Sequence, residues 1–325
     1  MQLPAGKTSD RFGPRSVALV GLSIVAVFNA AAMAGPTLEL GIAARFVVGI
    51  GTALGFVGAL DYVRAVGGLA VAQGVFGGVG VGGGAVALAV VPQVYSVAGW
   101  RAPFLSASLV ALGGIVFLAA APDVRVPAVR RNATVVAPIG QLVANRRLQR
   151  ISVVYAGSLG LSIVVGNWIV SLLVQEDGIS HATAGLVASL ALLAGILTRP
   201  LGGWAQQRSA RWTRRAVVAS IAAGAAGTFA LAAAGPLSLA ITGSLLIGLA
   251  AGFPFAPALS AAVQTRPDAP ATAIGFVNMC GALTILVGVP LLGLAFSLPG
   301  GGRTGFIVVA LLWGACALAV PGALT

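Results

Sequence analysis

Arg45 and Arg199 stand inside runs of apolar residues. A charged group is expensive there unless it is hydrogen-bonded or faces water. A guanidinium carries five donors in a planar fork that suits planar oxyanions. Arg45 reads either as a cation for substrate or proton, or as a structural arginine bonding backbone carbonyls. Arg199 reads either as an anion-binding cation or as a side chain snorkelling to a nearby interface. No carboxylate lies deep in an apolar run; Glu39 and Asp61 sit near run ends. Proton coupling usually calls on an ionisable group inside the hydrocarbon. Two inward arginines without a counter-acid favour an anionic solute. Enzyme chemistry finds little support. His181, the one histidine, falls in a loop beside Glu176 and Asp177 and reads as solvated. Phosphate-loop, nucleophile and metal-ligand spacings are missing. Cys280 and Cys316 read as small hydrophobes inside apolar runs. The expectation is a protein that is not an enzyme and uses no metal or cofactor.

These residues must be held by elements that live in lipid. Of 325 residues, 58% are hydrophobic and 8% charged, against roughly 25% charged in soluble domains. Ten segments approach the ~20 apolar residues a helix needs to cross a bilayer: 16–34, 38–60, 69–94, 102–121, 151–174, 182–201, 216–234, 236–262, 273–298 and 305–323. The first is too long for a signal core and is expected to be retained. Hydrocarbon offers no partner for free backbone groups, so these segments must be helices. The net charge of +12 does not read as nucleic-acid binding, because the cations sit in short gaps and not on one basic face. If the spans alternate, Lys7, Arg11, Arg15, Arg64, Arg125, Arg130, Arg131, Arg146, Arg147, Arg150, Arg208, Arg211, Arg214, Arg215 and Arg266 share one side. Only Arg101 and Arg303 fall on the other. The positive-inside rule then puts the N-terminus and the long basic loop in the cytoplasm, and the sequon Asn132-Ala-Thr134 with them. Arginine in place of lysine, with abundant Ala, Gly and Val, suggests a GC-rich bacterial genome and hence the inner (plasma) membrane.

Residues 122–150, rich in Arg and Pro, divide the spans into four and six. Internal repetition explains the imbalance. Gly6 and Gly203 open similar loops, Gly49-Ile-Gly51 is matched by Gly248-Leu-Ala250, and Gly74 by Gly275, at offsets of 197, 199 and 201. The expected fold is an all-α, polytopic transmembrane bundle with about ten spans of an expected twelve, in two pseudo-symmetric halves. The expected organisation is 1–121 as an N-terminal half-bundle lacking its first two helices, 122–150 as a basic cytoplasmic linker, and 151–325 as a six-helix half-bundle. A misassigned start and a real truncation are both open readings.

Gly6-x-x-x-Asp10-Arg11-x-Gly13-x-Arg15 resembles the signature loop of the major facilitator superfamily. Arg45-x-x-x-Gly49-x-Gly51 resembles its fourth-helix motif, and Gly99-Trp100-Arg101-x-x-Phe104 the opening of its sixth helix. The resemblance implies a cytoplasmic gate in which Asp10 caps a neighbouring helix start, with Asp61 and Arg64 as partners. Gln207 replaces the acid in the second half. The resemblance also implies a cavity lined by Arg45, Gln73, Asn167, Trp168, Arg199 and Asn278, while Asn29 lies on a supporting span. Gly74, Gly78, Gly82 and Gly83 would let helices approach closely. The antiporter pattern nearly fits there but lacks its proline. The nitrate/nitrite-porter pattern expects Asn where Val81 stands. Arg199 occupies the spacing of those porters' anion-binding arginine, but Gln2 holds the symmetric place.

The resemblance implies secondary transport of a small solute by alternating access, leaning to an anion or a drug-like compound. The partners are the bilayer, the solute and a coupling ion such as a proton. The alternatives are a non-transporting truncated membrane protein, a nitrate/nitrite-porter-like anion transporter and a ten-helix exporter fold. The last predicts five spans plus five, against the four plus six seen.

Overall fold

Helix boundaries follow short polar signals between the apolar runs. Gly13 takes φ +94°, which favours glycine, and Pro14 follows at the first helical position. Thr37, Asn145, Ser180 and Ser209 each accept a backbone N–H from the next helix's first turn. The computed structural model describes residues 1–124, 139–298 and 301–322, except the side chains at 85, 88, 89 and 139. Arg125, Arg130, Arg131 and the sequon at 132–134 lie outside the described residues.

The helices are α1 (Gln2–Phe12), α2 (Pro14–Ala32), α3 (Leu38–Ala65), α4 (Ala70–Ala98), α5 (Ala102–Ala120), α6 (Ile139–Ala144), α7 (Arg146–Tyr155), α8 (Ser162–Gln175), α9 (His181–Arg208), α10 (Ala210–Ala232), α11 (Leu237–Gly252), α12 (Phe255–Thr265), α13 (Pro270–Ala295) and α14 (Gly301–Ala315). A π-helical turn, Ala156–Leu161, joins α7 to α8. Among the described residues there is no strand. Nine helical stretches among them are long and apolar enough to cross a membrane. Ten spans were expected. The third is α4, whose described tail from Val90 is counted with α5 in one stretch, Val90–Ala120.

Two compact units emerge. Unit 1 holds Met1–Gly68, Gly83–Leu142 and Arg266–Phe276. Unit 2 holds Leu69–Gly82, Val143–Thr265 and Val277–Thr325. The start of α4 thus belongs to unit 2, and the start of α13 to unit 1.

Small residues set the spacing inside each unit. In unit 1, a Cβ on Gly21 or Gly51 would strike the partner helix of the α2–α3 pair, and Gly58 lies against Ala18. In unit 2, Gly227 meets Gly243 across α10 and α11, and Gly248 meets Ala191 across α11 and α9. Backbones this close gain dispersion contacts, the main attraction available between helices in lipid. Many large apolar side chains point outward, such as Val97, Phe117 and Leu318, while others such as Trp313 and Phe306 fill the interior.

The two units repeat each other in detail. Gly6 of α1 abuts the Ala271 carbonyl at the start of α13, while Gly203 of α9 abuts the Ala70 carbonyl at the start of α4. Gly275 abuts Gln2, while Gly74 abuts Arg199. Arginines that satisfy carbonyls near helix ends recur too. Arg15 donates to the Leu118 and Ala119 carbonyls near the end of α5, and Arg214 to the Pro321 carbonyl beyond α14. Arg101 donates to the Met33 carbonyl and Arg303 to the Ala232 carbonyl. Arg15 and Arg214 are 199 positions apart, as are Met33 and Ala232.

A branched side chain at these crossings must push backbones apart. Gly6→Val and Gly203→Val are each expected to cost about 1–3 kcal/mol. Gly41, with nothing near its Cβ position, is the control: Gly41→Ala should gain up to about 1 kcal/mol of helix propensity. Unfolding of the purified protein in detergent checks both, and equal losses at all three positions would contradict the packing account.

Candidate functional site

In unit 1, α1 carries Asp10 up to the first turn of α13, because Gly6 lets the two backbones meet. The Ala271 and Thr272 backbone N–H groups donate to the Asp10 carboxylate at 3.1 and 2.8 Å, and the Thr272 hydroxyl at 2.6 Å. A carboxylate at a helix N-terminus meets both free donors and a favourable dipole. Beside it, buried Asp61 accepts from the Ser9 hydroxyl at 3.1 Å and from Arg64 Nε at 2.8 Å. The structure thus brings Gly6, Asp10, Asp61 and Arg64 to one end of unit 1. Arg11 turns onto the Phe12 ring, and Arg15 pairs with the end of α5 and with Asp123 at 3.8 Å. Gly13 supplies the turn between α1 and α2. Ser9 and Thr272 had not stood out in the sequence.

In unit 2, Arg199 of α9 is buried, and its guanidinium donates to the Gly77 carbonyl of α4. The guanidinium carbon lies 4.5 Å from the centre of the Phe255 ring, a cation–π placement. The Arg199 Nε is buried without a hydrogen-bond partner. Among the described residues Arg199 forms no salt bridge with an acid. Tyr155 packs 5.9 Å from Phe255, ring centre to ring centre, and donates its hydroxyl to Asn278 Oδ1 at 3.0 Å. Gly74 and Gly77 make this possible: a Cβ on the first would strike the Arg199 backbone, and on the second the Phe255 ring. Tyr155 ends α7 just before the π-helical turn, a feature frequent at functional sites.

Of the expected cavity residues, Arg199 and Asn278 therefore meet around Tyr155 and Phe255. Buried Gln73 accepts from the Ser260 hydroxyl at 3.1 Å. Asn167 is exposed and donates to the Ile163 carbonyl of its own helix. Trp168 donates to the Val289 carbonyl and stacks 5.2 Å from Phe296. Asn29 donates to the Val25 carbonyl within its own helix. Arg45 belongs to unit 1, exposed in an open hollow, with its guanidinium 4.8 Å from the Phe104 ring centre. Gly78 lies close to Ile196 of α9, Gly82 touches the Ile196 side chain loosely, and Gly83 faces open space. Tyr155 and Phe255 were missed. A phenol inside an apolar run was a signal, but an apolar ring in an apolar run gives none.

The family model described as Major Facilitator Superfamily matches residues 1–289 and, separately, 151–324. No curated protein matches by sequence. A crystal structure of the E. coli fucose:proton symporter FucP aligns with TM-score 0.76 and 16% identity, covering 98% of this chain and 86% of that one. The human organic anion transporter MFSD10 aligns with TM-score 0.76 and 18% identity, covering 98% and 80%. FucP in an outward conformation gives 0.73 and 15%, covering 98% and 85%.

Burial raises the Asp10 carboxyl above its ordinary 3.8, only partly offset by the Thr272 bonds, and nearby Asp61 adds to the rise. The folded state therefore holds this proton more tightly than the unfolded chain. The resulting stability is fully present below the ordinary carboxylate value and is lost as pH rises through the raised one. Relative to Asp10→Asn, the native protein should lose thermal stability as pH climbs from about 4. A pH-independent difference between the two melting points would contradict this.

Proposed function

The chain belongs to the major facilitator superfamily, and on that premise we propose that it is a secondary transporter that moves a small anion by alternating access. One observation carries the anionic reading. Arg199 is buried in unit 2 and forms no salt bridge with a carboxylate among the described residues, and its Nε has no partner. A buried cation held only by a carbonyl, an aromatic face and a nearby phenol is undercompensated. A carboxylate or oxyanion solute would supply the missing charge through forked hydrogen bonds. Phe255 and Tyr155 would form an apolar and a polar wall beside it.

The fold accommodates both a fucose:proton symporter and an organic anion transporter, so the solute is argued from Arg199 and not from the fold. The basic ends would face the cytoplasm of a bacterium, with the protein in its plasma membrane. In unit 1, the Asp10 cap and the Asp61–Arg64 pair would form the gate on that side, since a buried polar latch is broken or made as a whole. A coupling proton is compatible with the half-buried Asp10.

Uptake into proteoliposomes tests the proposal. Small carboxylates and inorganic oxyanions should accumulate in preference to neutral sugars and organic cations. Arg199→Gln should lower anion uptake by about tenfold or more. Arg199→Lys, which keeps charge but loses the fork, should retain part of it. Preference for cations, or uptake indifferent to Arg199, would refute the anionic reading.

A further inference from the structure

The charges of unit 2 are sorted to its two ends. Its acids among the described residues are Glu176 and Asp177, and both meet Arg303. They stand just before α9, which runs 28 residues from His181 to Arg208, a length of roughly 40 Å at 1.5 Å per residue. At the far end of α9, Arg208 is followed by Arg211, Arg214 and Arg215 of α10. Arg214 donates to the Pro321 carbonyl, and Arg150 of α7 to the Ala319 and Val320 carbonyls, so the start of α7 reaches the same end. Arg208, Arg211 and Arg215 are exposed, and among the described residues none of the three forms a salt bridge with an acid.

An aromatic corner holds one of these cations. The Arg208 guanidinium lies 4.5 Å from the centre of the Trp204 ring. Trp204 meets Trp212 edge-on at 6.4 Å between ring centres, and Trp212 meets Phe253 at 6.3 Å. Both tryptophans nonetheless stay open, 43% and 50% exposed. Stacking uses the face of the guanidinium and leaves its N–H edge free to donate to an oxyanion. Leu197, Leu201, Trp204 and Arg208 are all exposed and follow one another at steps of four, three and four, so they share one face of α9. On α10, Arg211 and Arg215 share a face in the same way, and exposed Ala219 and Ala222 continue it.

We propose that the corner between α9 and α10 is a binding site for one anionic phospholipid of the surrounding bilayer. Its phosphate lies against Arg208, Arg211 and Arg215. Trp204 and Trp212 take the level of the glycerol, where amphipathic rings settle, and an acyl chain runs along Leu201 and Leu197. The apolar stripe decides for a lipid over a free anion. A small oxyanion in water would use the arginines alone and gain nothing from the leucines in line with them. Charge decides for an anionic lipid over a zwitterionic one. The described residues of unit 2 offer no acid at this end to receive an ammonium headgroup, while three unpaired guanidinium groups there lack a counter-charge. The site does not depend on the solute proposed above.

Native mass spectrometry of the full 325-residue protein in detergent, titrated with phosphatidylglycerol or with phosphatidylcholine of the same acyl chains, reads the site directly. The first phosphatidylglycerol should bind about tenfold or more tightly than the first phosphatidylcholine. That comparison uses the native protein and does not depend on a variant folding. Arg211→Gln and Arg215→Gln should each weaken the first phosphatidylglycerol by about tenfold. Arg146→Gln removes the same charge from an exposed position at the same end, outside the aromatic corner, and should leave that lipid's binding little changed. Inorganic phosphate at the lipid's concentration should not displace it. Four results would overturn the proposal: equal affinity for the two lipids, displacement by inorganic phosphate, indifference to Arg211 and Arg215, or an equal loss with Arg146→Gln, which would mean diffuse attraction and no site.

Discussion

Both polar centres depend on how closely two helix backbones can approach at a glycine. Asp10 reaches the start of α13 because Gly6 and Gly275 leave no side chain between α1 and α13. Arg199 reaches the Gly77 carbonyl because Gly74 and Gly203 do the same for α9 and the start of α4. A carboxylate has a short reach and must be carried to its donors. A guanidinium has a long stem, yet its backbone still has to stand beside the helix it serves. With Cβ atoms at these crossings the helices would separate, and neither charge would find its partners. Lipid supplies no alternative partner, so spacing and electrostatics are one constraint here.

The same crossing serves different chemistry in the two units. The helix-end arginines are kept in register, as Arg15 with Arg214 and Arg101 with Arg303. They satisfy carbonyls near helix ends, which every such helix presents. The acids are not kept. Asp10 has Gln207 as its counterpart and Asp61 has Ser260, which pairs with Gln73. Unit 1 therefore closes its crossing with charge, while unit 2 closes it with the neutral Gln73–Ser260 pair and buries Arg199 against Gly77 and Phe255. Duplication preserved what a helix in lipid must have and left free what only one site uses.

The sequence made the fold legible where one residue type has one physical use. Apolar runs gave the spans but not their ends: the helix expected from 216 starts at Ala210, capped by Ser209. Glycine offsets of 197–201 anticipated contacts that recur in space, such as Gly74 on Arg199 and Gly275 on Gln2. The candidate site was less legible. Arg199 stood out because charge in an apolar run is rare. Phe255 did not, since a ring looks the same in a sequence whether it faces lipid or a guanidinium. Arg45 and Arg199 read alike along the chain, yet one is exposed beside Phe104 and the other buried against Gly77. Depth within a span does not reveal which face of the helix a residue takes.

The surroundings of Arg199 also bear on how a transporter could release what it binds. The Gly77 carbonyl and the Phe255 ring each compensate part of the positive charge, and each is neutral. A resident carboxylate would complete the compensation and leave an incoming anion no advantage over the empty site. Neutral partners alone keep the cation tolerable when empty and still short of one charge. Binding of the proposed anion would then draw on that shortfall, while the partial compensation would limit its depth. Tight binding in one state that loosens in another requires a ligand to interact differently with the two. A cation whose fixed partners are a backbone carbonyl on α4 and a ring on α12 changes its attraction for an anion whenever either element shifts. On the anionic reading proposed above, the lack of an acidic partner for Arg199 among the described residues is what would let small movements of helices alter the affinity for solute.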